Sequence, residues 1–102
     1  MIEQLWREHQ DAPFPSGLRG EDVDGIHFVL LDADIAGCVS TFVGNRGRLD
    51  LRHTAVLGLC YRDVSYVLPQ LDEEGRVYFG RLETLAKLML QAVAKNAAHG
   101  AA

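Results

Sequence analysis

Three groups of side chains in this chain have types and spacings that chemistry could use. His53 and Cys60 stand two helical turns apart, with Cys38 on a neighbouring segment. An imidazole and two thiols can bind zinc or activate a thiolate. Zinc would want a fourth ligand or an open water position, and only His27 is on offer, at a distance. The plainer reading is a core cysteine beside a hydrogen-bonded histidine. The second group is Arg46, Arg48 and Arg52, around the loop that leads into a helix. Guanidinium groups beside a helix N-terminus can hold a phosphate or carboxylate, although Asp50 among them suits a salt-bridged surface. The third is His27, Asp34 and Thr41, spaced by seven, which line up only if residues 24–44 form one helix.

The ligand-binding candidates are therefore Arg46, Arg48, Arg52, His53 and Cys60. No catalytic residue, cofactor or metal is assigned. The chain has no glycine-rich phosphate loop, no nucleophile elbow and no His-Glu-x-x-His.

The elements that must carry these residues are legible in the hydrophobic pattern. Leu49, His53, Val56, Leu57, Cys60, Val64, Val67, Leu68 and Leu71 form one stripe at a helical period. Tyr78, Phe79, Leu82, Leu85, Ala86, Met89 and Val93 form another. Between them Pro69, which has no backbone donor and crowds the preceding turn, ends the first helix near Leu68. Asp50 and Asp72 are the expected N-caps. Glu73 and Glu74 open the last helix and Lys87 and Lys95 lie towards its end, as the helix dipole prefers. The tail from Asn96 to Ala102 is small and is expected to fray.

Residues 26–43 admit two readings. Ile35, Cys38, Val39, Phe42 and Val43 follow a full helical stripe, and Gly44-Asn45 suits a C-cap. Two strands, 26–31 and 38–43, would give a hairpin apolar on both faces, with too little protein to cover it. The expectation is helix through 33–43, with a start as early as Asp24 allowed and 26–31 left open between strand and helix. Ile2, Leu5 and Trp6 mark a short amphipathic N-terminal helix, and the prolines and glycines of 11–25 mark irregular chain.

The expected fold class is thus mostly α: a small bundle with helices near 33–43, 50–68 and 73–96. The alternative is α+β with a hairpin at 26–43. The middle helix has a second ridge, Leu51, Ala55, Leu59 and Tyr66, which must meet either helix 33–43 or another subunit. Packing inside the chain is the simpler expectation. Gly58 and Gly75 are read as close backbone approaches.

The 102 residues imply one domain, 1–102, and 48% hydrophobic with 24% charged residues is an ordinary globular composition. A net charge of −4 argues against nucleic acid or an anionic membrane as the main partner. The start Met1-Ile2-Glu3-Gln4-Leu5-Trp6-Arg7-Glu8 has acids and no apolar core, unlike a signal peptide, and the run Phe28–Leu31 is far too short to span a bilayer. Cys38 and Cys60, both on apolar stripes, are expected to be reduced and buried, so a cytoplasmic location is expected.

The stretch Leu30-Leu31-Asp32-Ala33-Asp34-Ile35-Ala36-Gly37-Cys38-Val39, with Gly47-Arg48-Leu49-Asp50 and Val67-Leu68-Pro69, resembles small bacterial proteins of mostly helical prediction and no assigned activity. The resemblance implies a helix at 33–43 and no function. The reading that emerges is a non-enzymatic interaction or regulatory module working through a helical surface. A homodimer is expected, with 26–31 or the Leu59/Tyr66 ridge at its interface, and a protein partner is allowed. The alternative is a small-ligand or metal-binding protein or minor enzyme using Cys38, His53 and Cys60, or the arginine loop.

Overall fold

The computed structural model describes residues 1–100, with side chains to Ala97. Among them are four α-helices: α1 Ile2–Asp11, α2 Phe28–Gly44, α3 Leu51–Val67 and α4 Glu73–Gly100. A single antiparallel hairpin, β1 Asp22–Val23 with β2 Ile26–His27, precedes α2. Short 3-10 turns occupy Ser16–Leu18 and Leu68–Gln70, the second holding Pro69 where α3 ends. The fold is a mostly α bundle, as the hydrophobic periods require.

Helix α2 settles the ambiguous segment. Phe28, Leu31, Ile35, Cys38, Val39 and Phe42 are all buried along one helical face, whereas Val29 and Leu30 face out. The alternative hairpin at 26–43 does not form, because α3 and α4 cover one helical face that two strands could not both use. The helix starts well before residue 33. His27 is its N-cap in extended backbone, so β2 runs straight into the first turn.

The irregular reading of 11–25 needs correction at its end. Asp24 and Gly25 have φ of 52° and 83°, the left-handed pair of a two-residue hairpin turn, and pair Asp22 with His27 and Val23 with Ile26. Asp-Gly is the preferred dipeptide for that turn, so the signal was present in the sequence.

Local chemistry accounts for the helix ends. Asp50 Oδ1 accepts the His53 amide at 2.7 Å, and Asp72 Oδ1 accepts that of Gly75 at 2.9 Å. At the end of α2 the reversal is made one or two residues later than Gly44-Asn45. Arg46 and Gly47 carry the positive φ, and the Gly47 amide donates to the Phe42 carbonyl at 2.8 Å. Helix α4 continues past 96 to Gly100, and the rest of the expected fraying tail, residues 101–102, lies outside the described residues.

Val64 and Leu82, central on their stripes, have no solvent exposure and share one hydrophobic core with Phe28, Ile35, Phe79 and Met89. Helix α1 lies against α4, with Trp6 packed on the core's edge.

Of the two glycines read as close approaches, only Gly75 is one. A Cβ there would sit 3.1 Å from Leu71 Cβ and 3.2 Å from a Leu18 methyl, whereas nothing lies within 4 Å of one at Gly58. Gly75→Ala should therefore destabilise the fold despite alanine's better helix propensity. Gly80→Ala, also in open space within α4, should stabilise it by about 1 kcal/mol. Chemical denaturation of the two variants checks the opposite signs; a stabilised Gly75→Ala would mean that α4 and the Ser16–Leu18 turn are not in contact.

Candidate functional site

The residues singled out for chemistry are distributed over separate places. Arg46 and Arg48 line a surface cleft of about 700 Å³ between the α2–α3 loop and the end of α4, with Val93 and Asn96 opposite. The Asn96 amide donates to the Gly47 carbonyl at 2.9 Å and so pins the loop to α4. Arg52 and His53 line a different cleft, of about 360 Å³, beside Asp34, Gly37 and Cys38. The three arginines therefore do not converge on one anion. None of them forms an ion pair among the described residues, so the expected salt-bridged surface is confined to Asp50 and His53.

His53 is half-exposed rather than core, because its Nδ1 lies 2.9 Å from the capping Asp50 carboxylate. That carboxylate, taking both the amide and the ring of His53, is held below the usual range. The Cys38 thiol donates to the His53 carbonyl at 3.7 Å, away from the ring. Cys60 is buried in the core.

Among the described residues no three His, Cys, Asp or Glu side chains come together as a metal site, so the thiol/imidazole cluster is not assembled. The row of His27, Asp34 and Thr41 is not assembled either, because His27 belongs to β2 and caps α2 instead of continuing it.

Burial raises the thiol pKa of Cys38 and pushes that of Cys60 up to about 12, with the negative charge of Asp34 adding to both. Since the thiolate is the reactive form, neither should react with a disulfide reagent near neutral pH until the chain unfolds. Two thiols titrating only in denaturant is the expected result. Rapid labelling of Cys38 in the native protein would place a reactive thiolate in the Arg52/His53 cleft and favour the ligand-binding alternative.

The structure also assembles a polar cluster that the sequence reading passed over. His9, in the last turn of α1, places Nε2 2.8 Å from Asp32 Oδ1. The Tyr78 hydroxyl, from α4, donates to Asp32 Oδ2 at 2.8 Å. One carboxylate on α2 thus ties three helices together.

His9 is 6% exposed and lies between aromatic rings, Trp6 stacked at 5.9 Å and Tyr78 tilted at 4.6 Å. Burial and the Asp32 bond push the Tyr78 hydroxyl well above its ordinary range, which keeps it a neutral donor. A general base must reach the proton that it takes. With imidazole and phenol both enclosed, this cluster works as a clamp. Its sequence signal was weak: His9 continues the Ile2, Leu5, Trp6 stripe, a polar residue on an apolar face, and Asp32 interrupts the run from Phe28.

A surface feature remains. The second ridge of α3 is not covered by α2 or by any other part of the described chain. Leu51 is 90% exposed, Leu59 54% and Tyr66 52%, and Ala55 between them is exposed as well. The expectation that helix 33–43 covers it is therefore overturned, because α2 and α4 meet α3 through Leu57, Cys60, Val64 and Val67 on its other side. Of the apolar residues of 26–31, Phe28 and Leu31 are core, Ile26 is partly buried, and Val29 and Leu30 stay outside.

The ridge is bounded by opposite charges. Arg52 flanks its start. At its far end the Tyr66 hydroxyl bonds to the Asp24 carboxylate in the hairpin turn, which raises the tyrosine's pKa. No described helix is long and apolar enough to cross a membrane.

No family model, curated protein or solved structure matches this chain.

Proposed function

We propose that this protein is a non-enzymatic helical interaction module that self-associates through the outer face of α3. The observation that carries the reading is the exposed row Leu51, Ala55, Leu59 and Tyr66. Its members stand four, four and seven residues apart, one or two turns each, along a helix whose opposite face is already packed. A lone exposed leucine is ordinary, whereas an aligned apolar row on one helix is the pattern of a docking face. Its exposure does not follow from a shortage of core, since α2, α3 and α4 already share a closed one.

A chain of this length buries a modest share of its surface alone, and pairing about a two-fold axis is the commonest way to hide such a remainder. The buried, unpaired thiols and the net charge of −4 fit a cytoplasmic setting in which neither nucleic acid nor an anionic membrane is the partner.

Sedimentation velocity at low micromolar concentration tests the proposal. The wild type should sediment as a dimer and Leu59→Asp as a monomer with an unchanged helical circular dichroism spectrum, because Leu59 is not part of the hydrophobic core. A monomeric wild type removes self-association and with it this reading.

A further inference from the structure

We infer that the two copies pair antiparallel along α3, so that Arg52 of each copy meets the Asp24 hairpin turn of the other. The inference rests on the self-association just proposed and specifies its geometry. The ridge from Leu51 to Tyr66 is about 22 Å long at the rise of an α-helix. Its two ends are electrically unlike.

Arg52 sits at the first end, exposed and without an ion pair among the described residues, and Arg48 lies in the loop just before it. The second end carries Asp24, fastened to Tyr66 itself, with Asp22 close by: its carboxylate accepts the Gly25 amide at 3.3 Å. A parallel pair would set arginine against arginine and aspartate against aspartate. An antiparallel pair about a two-fold axis near Gly58 and Leu59 sets each arginine opposite the other copy's Ser65–Tyr66 turn, where Asp24 is held. The same axis lays Leu51 over Tyr66 and Leu59 over Gly58. At Gly58 the backbone has open space in front of it, with nothing within 4 Å of a Cβ position, so two helices can approach closely at the crossing. Two further charges lie on or beside the face: Arg62 faces Ala55 in this register and is 3.4 Å from its own Asp63, and Asp50, at the arginine end, is engaged by the amide and ring of His53.

Like charges across an interface suppress the wrong register more strongly than opposite charges favour the right one. The hairpin thus has a task in this arrangement: its turn holds an acid on the ridge, and Tyr66 orients it.

Charge reversal with mixing tests the arrangement. Arg52→Glu alone and Asp24→Lys alone should each weaken the homodimer roughly tenfold, since each puts two like-charged pairs across the two-fold axis. Mixed together, the two variants should form a heterodimer about as tight as the wild type, because both contacts are then between opposite charges. Asp24→Asn keeps the left-handed turn and should weaken the dimer several-fold. It covers the case in which lysine disturbs the hairpin.

Raising the salt concentration should weaken the wild-type dimer and leave little difference between it and Asp24→Asn. A wild-type dimer indifferent to all three substitutions would overturn the antiparallel register while leaving self-association standing. A heterodimer no tighter than either homodimer would overturn it as well. A wild type that never dimerises fails at the earlier step, and the two failures are distinguished by that first measurement.

Discussion

Leu82→Ala is expected to lower the free energy of unfolding by about 2–5 kcal/mol, with Val64→Ala towards the lower end of that range. Leu82 has no solvent exposure and stands at the middle of the α4 stripe, in the same core as Val64 and Phe79. Truncation removes methyl groups that α3 and α4 hold between them, and a close-packed interior collapses only in part around the void. Against a total of about 5–15 kcal/mol for a domain, such a loss is large. It should move the thermal midpoint by about 8 °C or more, at about 4–8 °C per kcal/mol for a chain of this size. Equilibrium unfolding in urea, followed by circular dichroism, measures it. A loss below about 1 kcal/mol would mean that the two helices do not pack through these residues.

Asp32→Ala should be nearly as damaging, at about 2–5 kcal/mol, through a different cause. The carboxylate accepts from Tyr78 and meets His9 Nε2, both at 2.8 Å. Its removal leaves two enclosed polar groups without partners, at about 1–3 kcal/mol each. Tyr78→Phe leaves His9 and Asp32 still paired and should cost less. The combined His9→Leu, Asp32→Leu, Tyr78→Phe variant should lose much less than the sum of the single changes, since no orphan remains.

The readout is local as well as global. Trp6, the one tryptophan, stacks on His9, so release of α1 should shift its fluorescence to the red before the helical signal falls. An Asp32→Ala protein with unchanged fluorescence and stability would show that the clamp contributes nothing.

The same clamp has a pH dependence of definite sign. The Tyr78 hydroxyl is raised above its ordinary value of 10.0. A group whose folded pKa is raised contributes stability that is complete below the unfolded value and disappears as pH climbs through the folded one. The Tyr78 contribution to the clamp should therefore be complete at neutral pH and be lost in strong alkali, and Tyr78→Phe should remove that alkaline component.

What the sequence determined by itself was everything that depends on period and on local capping. The stripes of α3 and α4, the stop at Pro69 and the Asp50 and Asp72 caps follow from rules that act within a few residues, and the structure has them where those rules put them. The hairpin turn at Asp24-Gly25 was equally local and was legible, although the surrounding glycines and prolines hid it.

Tertiary structure decided what depends on which faces meet. Residues 26–31 read as strand or helix; Ile26–His27 pair as a strand, and 28–31 join α2 because α3 and α4 supply a surface that only one helical face could fill. The ridge on α3 read as an internal contact because period marks a face as apolar without saying whether anything covers it. His53 shared the core stripe by spacing but was turned towards solvent by its own cap, so the thiol and imidazole groups that two helical turns align were separated. The His9–Asp32–Tyr78 clamp left only two misplaced polar residues in the sequence and no sign that they pair, since Asp32 lies 23 residues from His9 and 46 from Tyr78. Only the packing of three helices brings one carboxylate within hydrogen-bonding reach of both.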